Sequence, residues 1–71
     1  MSDSENIVLK LGTIIRIISS SNEELHDNVF IINYLDNQIV ELISPNIEEP
    51  IFLNIDNNGY FRDKSIETIE I

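Results

Sequence analysis

Phe30–Leu42 reads FIINYLDNQIVEL. Two runs rich in β-branched and aromatic residues flank a short polar break. Before the break, Phe30, Ile32 and Tyr34 alternate with Val29, Ile31, Asn33 and Leu35. After it, Ile39, Glu41 and Ile43 alternate with Val40 and Leu42. A period of two over such residues is the pattern of strands. Asp36, Asn37 and Gln38 supply the turn between them, because Asp and Asn tolerate positive φ and hydrogen-bond the nearby backbone. The stretch therefore predicts an antiparallel hairpin.

The flanks extend the same theme. Ile7–Ile18, IVLKLGTIIRII, is too long for one straight strand, and Gly12 near its middle predicts a bulge or bend. Beyond it, Ile15 and Ile17 take one face, while Ile14, Arg16 and Ile18 take the other. A strand bending between two sheets would carry apolar groups on both faces in this way. Ser19–Asn28 is a polar loop with one apolar residue, Leu25, and with Ser21 or Asn22 placed to cap a helical turn. On the C-terminal side, SPNIEEP (44–50) is a connection, because Pro45 and Pro50 cannot donate to a central ladder. IFLNI (51–55) predicts a strand with Ile51, Leu53 and Ile55 on one face. DNNG (56–59) is a strong turn signal, YFR (60–62) a short returning strand, and DKSIETIEI (63–71) a helical turn capped by Asp63 or Ser65 before a last strand. This order predicts an all-β fold, a small SH3-like barrel of five to six short antiparallel strands with one helical turn before the last. A small open β-sandwich or an OB-like barrel is the alternative. An OB fold, however, calls for a longer and usually helical insertion in the later half, which this chain lacks.

Composition bounds the function. With 71 residues, the chain holds one domain, assigned to residues 7–71, behind a flexible acidic tail at residues 1–6. A domain this small buries only about 60% of its unfolded surface, so the core is marginal. There is no cysteine to staple it or to ligate a metal. Thirteen acidic residues against four basic ones give a net charge of −9. That excess disfavours direct binding to nucleic acid, which needs clustered Lys and Arg, and it disfavours anionic membrane surfaces. It suits a protein partner, in particular a basic one. No apolar run reaches the roughly 18 residues of a membrane span. The opening MSDSEN has neither the basic start nor the apolar stretch of a secretory signal, so an intracellular, non-secreted protein is expected.

No catalytic constellation is visible, and neither catalysis nor a cofactor is expected. His26 lies in the polar loop beside Asp27, near Ser19, Ser20 and Ser21, without the glycine motif of a nucleophile elbow. Asp56–Gly59 lacks the alternating acids and distant Glu of a calcium loop. Two partner-binding sets remain. Glu23, Glu24 and Asp27 in the first loop, with Glu48 and Glu49, would form an acidic patch if their two loops converge. Tyr34, Tyr60 and Phe61 near Asp36 would supply an aromatic cage of the kind that holds methylated lysine.

The run Leu11–Ile43 also resembles the N-terminal segment of large uncharacterised proteins of giant double-stranded DNA viruses. The likeness rests on Leu11, Gly12, Ile14, Ile15 and Ile17; on Asn22, Leu25 and His26; and on Phe30, Ile32, Tyr34, Leu35 and Asp36. LNIDNNGYFRDKSIETIEI (53–71) is similar too. Alanine is absent, while Ile and Asn, with AT-rich codons, abound, which agrees with such a source. The resemblance implies a module of a viral protein, resident in the host cytoplasm or the virion, and it implies no chemical reaction. The function expected is therefore a non-catalytic protein-interaction or structural module, with an acidic Tudor-like reader of basic or methyl-lysine tails as the alternative.

Overall fold

The computed structural model describes residues 7–71; the acidic tail assigned to residues 1–6 lies outside the described residues. Five strands form among the described residues: β1 (Ile14–Ser19), β2 (Asn28–Leu35), β3 (Ile39–Ser44), β4 (Ile47–Asn54) and β5 (Glu67–Glu70). They make one antiparallel sheet in the order β4-β3-β2-β1-β5. The first four strands meander as neighbours, and the last returns beside the first. The described residues contain no helix, and so none long and apolar enough to cross a membrane. The result is an all-β domain compatible with a small barrel-like fold.

The hairpin at Asp36 forms as its sequence dictates. Asp36 Oδ1 accepts the N–H groups of Gln38 (2.7 Å) and Ile39 (2.9 Å), and the Asp36 N–H donates to the Ile39 carbonyl (3.1 Å). Alternation holds along β3, where Val40, Leu42 and Ser44 are buried, but it breaks in β2. Ile32 lies opposite Leu42 and Tyr34 opposite Glu41, so Asn33 is the extra residue of a β-bulge. A bulge inverts the faces beyond it. Phe30 and Ile32 are buried as their spacing predicts, but Tyr34 does not join them; it is 46% exposed, and Leu35 packs against the core instead.

The N-terminal flank also departs from expectation. Residues 7–10 form no strand, and Gly12 (φ +83°) sits in a turn that launches β1. Its N–H donates to the Ile32 carbonyl (2.8 Å), and the Ile32 N–H returns to the Thr13 carbonyl (3.0 Å). Leu9 is nonetheless buried, held by its N–H to the Gly59 carbonyl (2.9 Å), whereas Leu11 is exposed. After β3 the connection is only a two-residue turn, Pro45–Asn46. Pro50 falls inside β4, where it is tolerated because β4 is an edge strand and Glu48, Glu49 and Pro50 form a bulge opposite Ile43. Tyr60–Arg62 makes no strand but one bridge, Phe61 to Ile55.

The core lies on one side of the sheet. Ile15, Ile17, Phe30, Ile32, Val40 and Leu42 project from the strands. Leu9, Leu25, Ile55, Phe61 and Ile66 close over them from the connections. Each of these fully buried large side chains contributes roughly 1.5–3 kcal/mol relative to exposure. Leu25 reaches the core because the Asn22 carbonyl accepts the N–H groups of Leu25 and His26, making a single turn. The Asn22 side chain caps it by accepting the Glu24 N–H (2.9 Å).

Candidate interaction surface

The loop residues of catalytic type are occupied with shaping the first loop. His26 Nδ1 accepts the Ser20 N–H (3.4 Å), and Ser20 Oγ accepts the Asn22 N–H (3.0 Å). Ser21 Oγ lies 3.3 Å from Ser65 Oγ, tying the loop to the turn before β5. Asp56–Gly59 is a hairpin-type turn. Asp56 Oδ1 accepts the N–H groups of Tyr60 (3.0 Å) and Asn58 (2.9 Å), which holds its carboxyl below the ordinary 3.8. Among the described residues, no group of His, Cys, Asp and Glu is arranged to hold a metal ion.

Asparagines tie together the two connections beside which the acidic set lies. Asn46, in the turn between β3 and β4, donates to Asn28 Oδ1 (3.1 Å), and Asn28 in turn donates to the Glu24 carbonyl (3.1 Å). This chain ties the end of the first loop to the β3–β4 turn, beside which Glu48 and Glu49 lie. Glu23, Glu24, Asp27, Glu48 and Glu49 are all exposed. Asp27, with φ +57°, is bound by Arg16 at 2.5 Å, and that guanidinium holds its carboxyl below the ordinary value.

The aromatic set is not assembled on the surface. Phe61 is 1% exposed and belongs to the core, so it cannot line a cage. Tyr60 is half-buried beside the Asp56 turn. Tyr34 is exposed, and its hydroxyl donates to Asp36 Oδ2 (3.0 Å), a bond to a carboxylate that raises the phenol above its ordinary 10.0. Asp36 itself is held below 3.8, chiefly by the Ile39 N–H and then by that of Gln38.

The feature that sequence reasoning did not single out is the outer face of the sheet. Ile14 of β1 lies opposite Ile31 of β2, and Ile31 lies opposite Ile43 of β3. The Ile71 N–H donates to the Ile14 carbonyl (3.1 Å), which brings a fourth isoleucine to the end of the row. These side chains are 43%, 42%, 38% and 67% exposed in the order Ile14, Ile31, Ile43, Ile71. A second row runs beside it: Tyr34, Glu41 and Phe52 lie opposite one another across β2, β3 and β4, and Phe52 is 56% exposed. Single exposed apolar residues are ordinary, but a contiguous apolar face is the mark of an interaction surface. Its signal was present in Ile14 and Ile18 sharing the face of Arg16. That pattern reflects one sheet with two apolar faces, only one of them covered. Comparison with known proteins finds no matching family model, no matching curated protein and no matching solved structure.

Proposed function

We propose that this chain is a non-catalytic protein-interaction module, built on an SH3-like barrel and serving as a structural or docking part of a viral protein in the host cytoplasm or the virion. Support for the barrel type comes from the strand order, the long first loop, the tight later turns and the turn closed by Asp63 just before β5. The observation that carries the interaction reading is the solvent-facing row Ile14, Ile31, Ile43 on a sheet whose other face already holds the core. A domain with so small a core gains nothing in folding from leaving isoleucines in water, whereas a partner that covers them gains their burial. An acidic reader of basic or methyl-lysine tails is the weaker reading. Tyr34 beside Asp36 favours it, but the burial of Phe61 removes one of its three rings.

The test is affinity capture from the native host with the wild-type chain and with Ile31→Lys. Circular dichroism and the denaturation midpoint establish that the variant folds. Proteins retained by the wild type and lost with the variant are expected. Identical proteins in both samples, or none in either, would overturn the reading.

A further inference from the structure

We infer that the outer face of the sheet receives a cationic amphipathic helix, whose aliphatic stripe lies across the strands on the row Ile71, Ile14, Ile31, Ile43 and whose Lys or Arg flanks meet the acids around it. The inference rests on the interaction-module reading and adds the chemistry of the partner.

Geometry fixes the shape of the occupant. Three side chains on adjacent strands, with Ile71 just past the end of β5, spaced roughly 4.8 Å apart, make a row about 14 Å long running across the sheet. An apolar helical stripe of about three turns has that length. A partner strand would instead seek a sheet edge, and both edges are guarded. β4 carries Pro50 and a bulge with Glu48 and Glu49, and β5 has only four residues. Proline, charge, bulges and shortness are the devices that block strand addition. The flat face is therefore the open route.

Charge selects the chemistry. Among the described residues, Arg16 is the only Lys or Arg in a strand, and Asp27 already pairs with it. Glu41 stands on the face between Tyr34 and Phe52, and Glu48 and Glu49 lie opposite Ile43 at one end of the row. A cation over Phe52 or Tyr34 gains from the ring face as well as from Glu41. A second copy of the chain would bring another net charge of −9 to the same surface, and an anionic lipid surface would meet the same repulsion.

The experiment titrates the intact chain with a synthetic helical peptide of about 14 residues, its stripe of Leu and its flanks of Lys. Two controls share its length: one has the same stripe with Glu flanks, the other the same Lys content with the stripe scrambled. Amide shift perturbations of the wild type at Ile14, Ile31 and Ile43 are expected with the first peptide alone. Affinity should fall about tenfold in Ile31→Thr and several-fold in Glu41→Gln, with a shallower salt dependence in the latter. Equal binding of the scrambled peptide would show charge without a docking row, and equal binding of the Glu-flanked peptide would show no charge selection; either overturns the inference. So does sedimentation showing a dimer dispersed by Ile31→Lys, or binding to phosphatidylserine vesicles through this face. If capture still depends on Ile31 while the Lys-flanked peptide does not bind, the inference fails and the interaction-module reading stands. If capture is indifferent to Ile31 while the peptide binds at the row, the module reading fails alone.

Discussion

Leu35 lies opposite Val40 on the core side of the β2–β3 hairpin, two residues after Asn33 has stepped out of register. The pairing puts Tyr34, which alternates with Phe30 and Ile32 in sequence, on the outer face. The consequence is measurable. Leu35→Ala should destabilise the chain by about 1–2 kcal/mol, below the range for fully buried leucines because Leu35 is half-buried. Tyr34→Ala should stay within about 0.5 kcal/mol, as exposed substitutions do. Urea denaturation of both variants decides the matter, and the reverse order of costs would mean that the bulge is not where Asn33 stands.

The two glycines separate strain from crowding. Gly12 and Gly59 both have positive φ, +83° and +89°. A side chain at Gly12 would meet no atom within 4 Å, so Gly12→Ala should cost only the conformational penalty of about 1–2 kcal/mol. A Cβ at Gly59 would lie 3.1 Å from Val8 Cγ1 and close to the backbone of Leu9, whose N–H is bonded to the Gly59 carbonyl. Gly59→Ala should therefore cost more than Gly12→Ala and loosen the packing of Leu9. Comparable midpoints for the two variants would show that residues 7–10 are not pinned by this turn.

Phe61 is a core residue beside Ile55, bridged to it across the Asp56 turn. Truncation of a buried phenylalanine typically costs about 3–5 kcal/mol, a large part of the stability of a small domain. Phe61→Ala should thus leave the chain largely unfolded by circular dichroism, while Phe61→Leu should fold with a lowered midpoint. A folded, fully stable Phe61→Ala would return this ring to the surface and revive the cage.

The hairpin at Asp36, the loop with its buried Leu25 and the Asp56 turn were all legible in sequence. Each is set by local chemistry: alternation, an Asx-type side-chain acceptor, or glycine at positive φ. What was not legible depends on counting across strands. The bulge at Asn33 reverses which of Tyr34 and Leu35 is buried, and nothing within NVFIINYL marks Asn33 as unpaired. Residues 7–10 look like a strand because Ile7 and Val8 are β-branched and Leu9 and Leu11 alternate with Lys10, but Gly12 sits in a turn before β1 begins. Pro50 suggests a connection, and only the position of β4 at the sheet edge lets it sit inside a strand. The Ile14, Ile31, Ile43 row combines residues from three strands and becomes visible only once register is known.

The acid response of the fold should report the turns. The carboxyls of Asp36, Asp56 and Asp63 are all held below the ordinary 3.8, each by hydrogen bonds inside a turn: from Ile39 and Gln38, from Tyr60 and Asn58, and from the hydroxyl and N–H of Ser65. A carboxylate lowered in the folded state releases its proton more readily there than in the unfolded chain. The unfolded state then binds more protons near pH 3.8, so stability rises with pH through that region. The contribution is complete above the unfolded value and is lost as pH falls through the lower, folded value. At neutral pH the opposing term is self-repulsion from the net charge of −9, which relaxes on acidification. The denaturation midpoint should therefore hold or rise slightly on approach to about pH 4 and fall steeply below it. Asp36→Asn keeps an oxygen to accept the Gln38 and Ile39 N–H groups and removes the titration, so it should flatten the acid limb while weakening the fold only modestly at neutral pH. An acid limb equally steep in Asp36→Asn would mean that the hairpin turn does not distinguish the charged carboxylate from a neutral acceptor.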